Sequence, residues 1–273
     1  MPARRGTGAA EFDDAAYLQL SDLLYRLRQA RTAVGVARRS ARRAARRLLR
    51  SVAAIRRLPV LEVEVSDSPA GEAIASALAQ RRGLVPATTA AAVLELTAEP
   101  EAYLVGRRRQ AVRTGLNHAR RHGLSVRKVT EREERRARAL ELVDAEVHEH
   151  FGPSLRQWAA APRDESWFTL DAHGRTLAVA ILTVDGSVAR LNAVISADGP
   201  LRSPARYLLS ASVFMDLARS GVSHVLLEGS LFLPPGLLHF QRLLGFRPMN
   251  IRVRRAQRAQ RLASRDLGAR IPA

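Results

Sequence analysis

The sequence predicts an α+β fold, a sheet flanked by helices. Two observations carry this. From residue 124 onward, strand-like and helix-like patterns follow the order β-α-loop-β-β-β-α-β-α-β. The dipeptides His173-Gly174 and Asp185-Gly186 suit tight hairpin turns, so the three strands they join form an antiparallel meander.

The elements follow in order. Residues 11–57 read as helix, with a break near Gly35, because Ala, Leu and Arg dominate them. From Ala37 the apolar residues Ala41, Ala44, Ala45, Leu48, Val52 and Ile55 recur at helical spacing. Arg38, Arg42 and Arg46 line one strip, and Arg39, Arg43 and Arg47 the strip beside it. Like charges four residues apart destabilise a lone helix, and a counter-anion relieves them. A solvated face, a nucleic-acid contact and a contact with an anionic membrane surface all satisfy that pattern. Pro59 breaks the chain, and residues 61–65 alternate as a strand does. Ser68-Pro69 opens a helix reaching toward Gly83. Residues 85–96 read as a strand and 97–122 as one long helix, closed by Gly123. A strand at 124–129 and a helix at 131–150 come next. The meander strands are 166–170, 176–184 and 188–195. Ser203, as cap, and Pro204 start a helix running to Ser220. A strand at 222–227, a helix at 237–244 and a strand at 246–254 complete the pattern.

Charge is distributed unevenly. The chain has 273 residues and a net charge of +18. Residues 26–57 hold twelve Arg and no acid, and residues 252–273 hold seven Arg and one Asp. The middle is nearly neutral, so basic arms flank it, which predicts a polyanionic partner. Arginine outnumbers lysine 43 to one, and part of that skew reflects GC-rich coding. No cysteine is present, which excludes disulfides and thiolate metal sites. The longest apolar stretches are strand-length, so no transmembrane segment is expected. No apolar signal region follows Met1, and a cytoplasmic location is expected. His148 and His150 lie on different helix faces, so no metal site is expected.

Three local sequences carry a family resemblance. Residues 237–247, LLHFQRLLGFR, place a helix, a Leu-Gly-Phe turn and a strand in succession. Residues 202–209, RSPARYLL, follow the meander at the start of a helix. Residues 97–126 form an Arg-rich segment with Arg107, Arg108, Arg109 and Arg113, entering a Gly123-Leu124 step. Together with the element order, these resemble the GNAT acyltransferase superfamily and, within it, Fem-type aminoacyltransferases. The resemblance covers about 97–255. It implies a GNAT-type mixed sheet over 126–255. A partial first GNAT-like repeat at 58–125, a basic helical arm at 1–57 and a basic tail at 256–273 complete the expected organisation.

The resemblance also implies chemistry. GNAT-type enzymes polarise an acyl carbonyl with a backbone N–H, and a base removes a proton from the acceptor amine. Glu228, at the end of a strand, is the preferred base, and His148 is the alternative. The family's usual tyrosine acid falls on Gln241, so either His239 or Tyr207 substitutes, or the leaving group needs no acid. Arg202, Ser203, Ala205 and Arg206 occupy the place of the pyrophosphate-binding loop, although Ala205 and Tyr207 replace its glycines. No tightly bound cofactor is expected; the donor is an acyl-CoA or an aminoacyl-tRNA. Three functions stay open: Fem-like aminoacyl or acyl transfer using tRNA, acetyl-CoA-dependent N-acetylation, and a non-catalytic GNAT-fold module that binds nucleic acid or an anionic surface.

Overall fold

The computed structural model of the chain describes residues 58–79, 90–144, 155, 165–227 and 233–256. The expected basic helix with Arg38, Arg39, Arg42, Arg43, Arg46 and Arg47 lies outside these residues. So do His148, Glu228 and all of the tail beyond residue 256.

The strands are β1 (Val60–Val65), β2 (Ala90–Glu95), β3 (Ser125–Val129), β4 (Ser166–Ala172), β5 (Arg175–Asp185), β6 (Val188–Ser196), β7 (His224–Leu227) and β8 (Arg247–Arg255). The helices are α1 (Pro69–Ala79), α2 (Gln110–Arg121), α3 (Arg132–Asp144), α4 (Arg202–Arg219) and α5 (Pro235–Leu243). The eight strands of the described residues form one mixed sheet in the order β1-β8-β2-β7-β6-β5-β4-β3. β3 to β6 pair antiparallel, as the hairpin turns predict. β6 and β7 pair parallel, as do β1 and β8. β2 runs antiparallel between β7 and β8. The strands of residues 58–125 therefore share the sheet of residues 126–255.

Apolar burial divides between the two faces. On one, Val112 and Leu116 of α2 and Leu209 and Phe214 of α4 cover Phe168, Ala180, Leu182, Leu94 and Val225. On the other, Leu142 of α3 packs with Trp167, Val179 and Ile181. Further along that face, Ile74 of α1 packs with Val63, Val93 and Leu226. Each buried Leu, Ile or Phe side chain contributes about 1.5–3 kcal/mol.

The long helix expected over 97–122 is corrected. Pro100–Leu104 and Arg107–Arg109 are 3-10 turns, and the α-helix begins only at Gln110. Gly106 between them has φ 95°, a value that ends helical continuity. A contact with a distant part of the chain favours the turn: the Tyr103 ring is buried, and its hydroxyl donates to the Leu244 carbonyl at 3.1 Å.

A carboxylate fastens α1 to the meander. Asp185, in the β5–β6 turn, accepts from Ser66 N and Ser66 Oγ, both at 2.6 Å, and from Ser68 Oγ at 3.1 Å. Ser68 Oγ in turn accepts from Gly71 N at 3.0 Å and caps α1. Burial raises the Asp185 carboxyl, but these hydrogen bonds outweigh it and hold it below its ordinary value. A lowered folded-state pKa means that its stabilisation is complete above the unfolded pKa and is lost as pH falls through the folded one. Asp185→Asn is expected to lower stability at pH 7 by about 2 kcal/mol. It should also flatten the loss of stability below about pH 4. Urea unfolding at pH 7 and pH 3.5 checks both.

Candidate functional site

β6 and β7 are parallel neighbours only over four pairs, ending at Leu191↔Leu227. Beyond that point β6 continues from Asn192 to Ser196, pairing with β5 alone among the described residues. Leu227 is the last described residue of β7. Next to this last described pair β6 carries a β-bulge. Ile181 pairs with Ala193 and Leu182 with Leu191, so Asn192 has no partner across the ladder. The extra residue also reverses the side-chain alternation. Leu191 faces the α2–α4 side and Ile195 the α3 side, although four residues separate them.

Asn192 brings polarity to the bulge. Its Nδ2 donates to Glu165 Oε1 and to Thr183 Oγ1, each at 3.0 Å. Its Oδ1 is buried and accepts no hydrogen bond. Glu165 is itself only 7% exposed. Sequence reasoning missed this trio. The available signal was an asparagine inside an apolar strand, at the point where the alternation of 188–196 changes phase.

The start of α4 departs from expectation. The helix begins at Arg202, its N-cap is Leu201, and no side chain caps it, so Ser203 lies within the first turn. Arg202 N donates to Gly199 O at 3.1 Å and Ala205 N to Leu201 O at 2.9 Å. Pro204 has no N–H. Ser203 N–H is left as the amide without an acceptor among the described residues. The Arg202 guanidinium is paired with Asp198 at 2.6 Å. Ala205 is buried in the core. Arg206 lies over the Phe240 ring of α5, 4.7 Å from its centroid, and burial lowers its pKa. Tyr207 packs on the same ring at 5.1 Å, and burial raises its phenol above the ordinary value.

Two cavities adjoin these helices. The first is an open groove of about 790 Å³ between α2 and the start of α4, lined by Arg107, Arg108, Thr114, His118, Ser203 and Tyr207. The second, of about 550 Å³, lies among the 3-10 turn at Arg107–Arg109, α5 and β8. Arg107 and Arg108 form the ridge common to both. His239 lines the second cavity and Tyr207 the first, so the two candidate acids do not share a site.

The four arginines expected to bind anions divide into two kinds. Arg107 and Arg108 are exposed. Arg109 donates to the carbonyls of Tyr103 and Leu243, both at 3.2 Å, while its guanidinium lies over the Tyr103 ring. Arg113 donates to Leu104 O at 2.6 Å and Gly106 O at 2.8 Å. Those two hold the turn region onto α2 and the C-terminus of α5. No three metal-ligating side chains cluster among the described residues, and no described helix is long and apolar enough to cross a membrane.

No family description matches the sequence, and no curated protein matches it. Solved structures do. FemX is similar at 12% identity and TM-score 0.45, over 59% of this chain and 60% of that one. A C-terminal domain assigned to a lysylphosphatidylglycerol synthetase of Agrobacterium fabrum is similar at 17% identity and TM-score 0.43, over 59% and 58%. A GCN5-related N-acetyltransferase from Kribbella flavida is similar at 16% identity and TM-score 0.36, over 67% and 74%. The chain thus spans under two thirds of the first two.

Proposed function

We propose that the protein transfers an acyl or aminoacyl group from an anionic carrier onto an amine, in the manner of Fem-type transferases. The observation that carries this reading is the bulge at Asn192 in β6, next to Leu191 and Leu227, the last described pair of β6 and β7. A bulged residue leaves backbone groups outside the ladder. An N–H so freed can polarise an acyl carbonyl, and a fixed dipole of this kind stabilises the oxyanion as it develops. Glu228 follows the last described residue of β7 and takes the proton from the attacking amine. Tyr207, its phenol kept protonated by burial, returns a proton to the departing group.

The carrier grip falls to Arg107 and Arg108. The start of α4 offers a single unclaimed amide, which is a poor cradle for a pyrophosphate. Exposed guanidiniums along a groove suit an extended phosphodiester backbone such as that of an aminoacyl-tRNA. The acetyl-CoA and non-catalytic readings are outcomes of the same test.

tRNA binding measured over a salt series is expected to weaken steeply as salt rises. The double variant Arg107→Ser, Arg108→Ser should lower the slope of log K against log salt by roughly 1–2, about 0.7–0.9 per lost phosphate contact. Donor consumption is then followed with aminoacyl-tRNA and with acyl-CoA. Thermal stabilisation and turnover with acetyl-CoA but not RNA would favour the coenzyme reading. Binding without consumption of any donor sinks the transfer reading and leaves a non-catalytic module.

A further inference from the structure

The end of α2 carries a pair of side chains that the transfer chemistry does not use. His118 lies in the last turn of the helix and His122 caps it, so the two stand one above the other on one face. Both are exposed. Their Nε2 atoms lie 2.9 Å apart, with ring centroids at 4.7 Å and planes tilted by 51°. One ring therefore donates its Nε2–H to the Nε2 lone pair of the other. The backbone beneath them is fixed. Leu116 and Ala119 are buried, Leu124 N donates to Ala119 O at 3.1 Å, and Gly123, with φ 67°, closes the helix. Two imidazoles on a rigid element, with their ring nitrogens meeting, are a preorganised pair of metal ligands.

We propose that His118 and His122 form a site for a first-row divalent transition metal such as Ni²⁺, Cu²⁺ or Zn²⁺, held through both Nε2 atoms. Metal–imidazole bonds are about 2.0–2.1 Å long, so two nitrogens at right angles on one ion stand about 2.9 Å apart, and at the tetrahedral angle about 3.3 Å. The observed spacing matches the first, which is the arrangement Cu²⁺ and Ni²⁺ prefer. A small turn of each exposed ring then points both lone pairs at one ion. The ion takes the place of the proton shared by the two nitrogens. The ring that donated keeps its one proton on Nδ1, so both rings stay neutral and the pair releases no proton.

The surroundings select for imidazole-seeking ions rather than for charge. Among the described residues no third His, Asp or Glu joins the pair, so water completes the coordination. A hard ion such as Mg²⁺, which needs oxygen ligands, finds no carboxylate there. Arg120 and Arg121 are exposed on the same turn and repel any cation. The carbonyls at the end of α2 carry the negative end of its dipole and oppose that repulsion. His118 is also part of the wall of the groove at the start of α4, which puts the ion at the edge of that groove. The site does not depend on the transferase reading, and neither fails with the other.

The probes are Ni²⁺, Cu²⁺ and Mg²⁺ added alone, as chlorides, to the full chain in a buffer that does not bind metal. Both substituted side chains are exposed, so the fold is not at stake. His118→Gln and His122→Gln should each weaken Ni²⁺ about tenfold or more by calorimetry, because the second imidazole binds intramolecularly. The double variant should be no weaker than either single one, because one imidazole alone cannot chelate. His173→Asn, at an exposed turn residue whose φ of 49° asparagine accepts, should bind as wild type does. Saturating Ni²⁺ should raise the melting temperature of wild type and of His173→Asn but of neither chelate variant, since only the folded helix presents the pair. The electron paramagnetic resonance of bound Cu²⁺ should show two coupled nitrogens in wild type and one in each single variant. Ni²⁺ affinity within about twofold of wild type in either single variant overturns the proposal. So do losses that add in the double variant, a Cu²⁺ spectrum that His118→Gln leaves unchanged, or Mg²⁺ binding as tightly as Ni²⁺.

Discussion

Replacing Gly71 by alanine is expected to destabilise the fold by about 3 kcal/mol, against the direction that helix propensity predicts. In an exposed helix interior the same change stabilises by about 1 kcal/mol. Gly71 sits in the first turn of α1 and is buried. A Cβ there would press on the Ser66 carbonyl oxygen and lie 2.8 Å from Asp185 Oδ2. Ser66 cannot withdraw, because Asp185 holds both its backbone N–H and its hydroxyl at 2.6 Å. Relief requires breaking the Asp185 clip or tilting α1 away from Val63 and Val93, and overpacking of this kind costs about 1–3 kcal/mol or more. For a domain of this size the midpoint should fall by roughly 6–12 °C. Gly236→Ala is the control. It lies in the first turn of α5, with nothing within 4 Å of its added Cβ, and should leave the midpoint unchanged or slightly raised. A Gly71→Ala protein that melts at or above wild type would show that the contact with Ser66 is not close.

The largest effect on activity is expected from Glu228→Gln. The change keeps size and hydrogen bonding and removes the ability to take a proton. If Glu228 deprotonates the acceptor amine, the rate with a saturating donor should fall about 10²–10⁴-fold. Carrier affinity and melting temperature should stay unchanged, since the carrier grip is assigned to Arg107 and Arg108. The acid-side fall of the pH–rate profile should disappear with the carboxylate. Tyr207→Phe should slow the reaction wherever the phenol is protonated and remove the alkaline-side fall. A Glu228→Gln enzyme within threefold of wild type would remove Glu228 from the chemistry and turn attention to the buried Glu165 carboxylate, held by Asn192.

Much of the architecture was legible in advance. The meander came from period-two apolar runs joined by His173-Gly174 and Asp185-Gly186, and both junctions are hairpin turns in the structure. The helices α4 and α5 and the strand β8 followed from apolar spacing bounded by proline and glycine. The segment before α2 was misread because Ala, Arg and Leu favour helix everywhere. The buried Tyr103 and the left-handed Gly106 override that preference through tertiary contact. The arginines show the same limit. Arg107, Arg108, Arg109 and Arg113 look alike in sequence, yet only the first two are exposed.

By itself the sequence determined local matters: which stretches bury one face, where turns fall, and that positive charge concentrates away from the middle. These depend on neighbours a few residues apart, and spacing records them. The tertiary structure alone decided that β2 inserts between β7 and β8, that Asn192 bulges from β6 beside the Glu165 carboxylate, and that Gln241 lines a cavity together with arginines. Each of these joins residues distant in the chain, through ladder pairing or burial, and no local spacing encodes such a meeting.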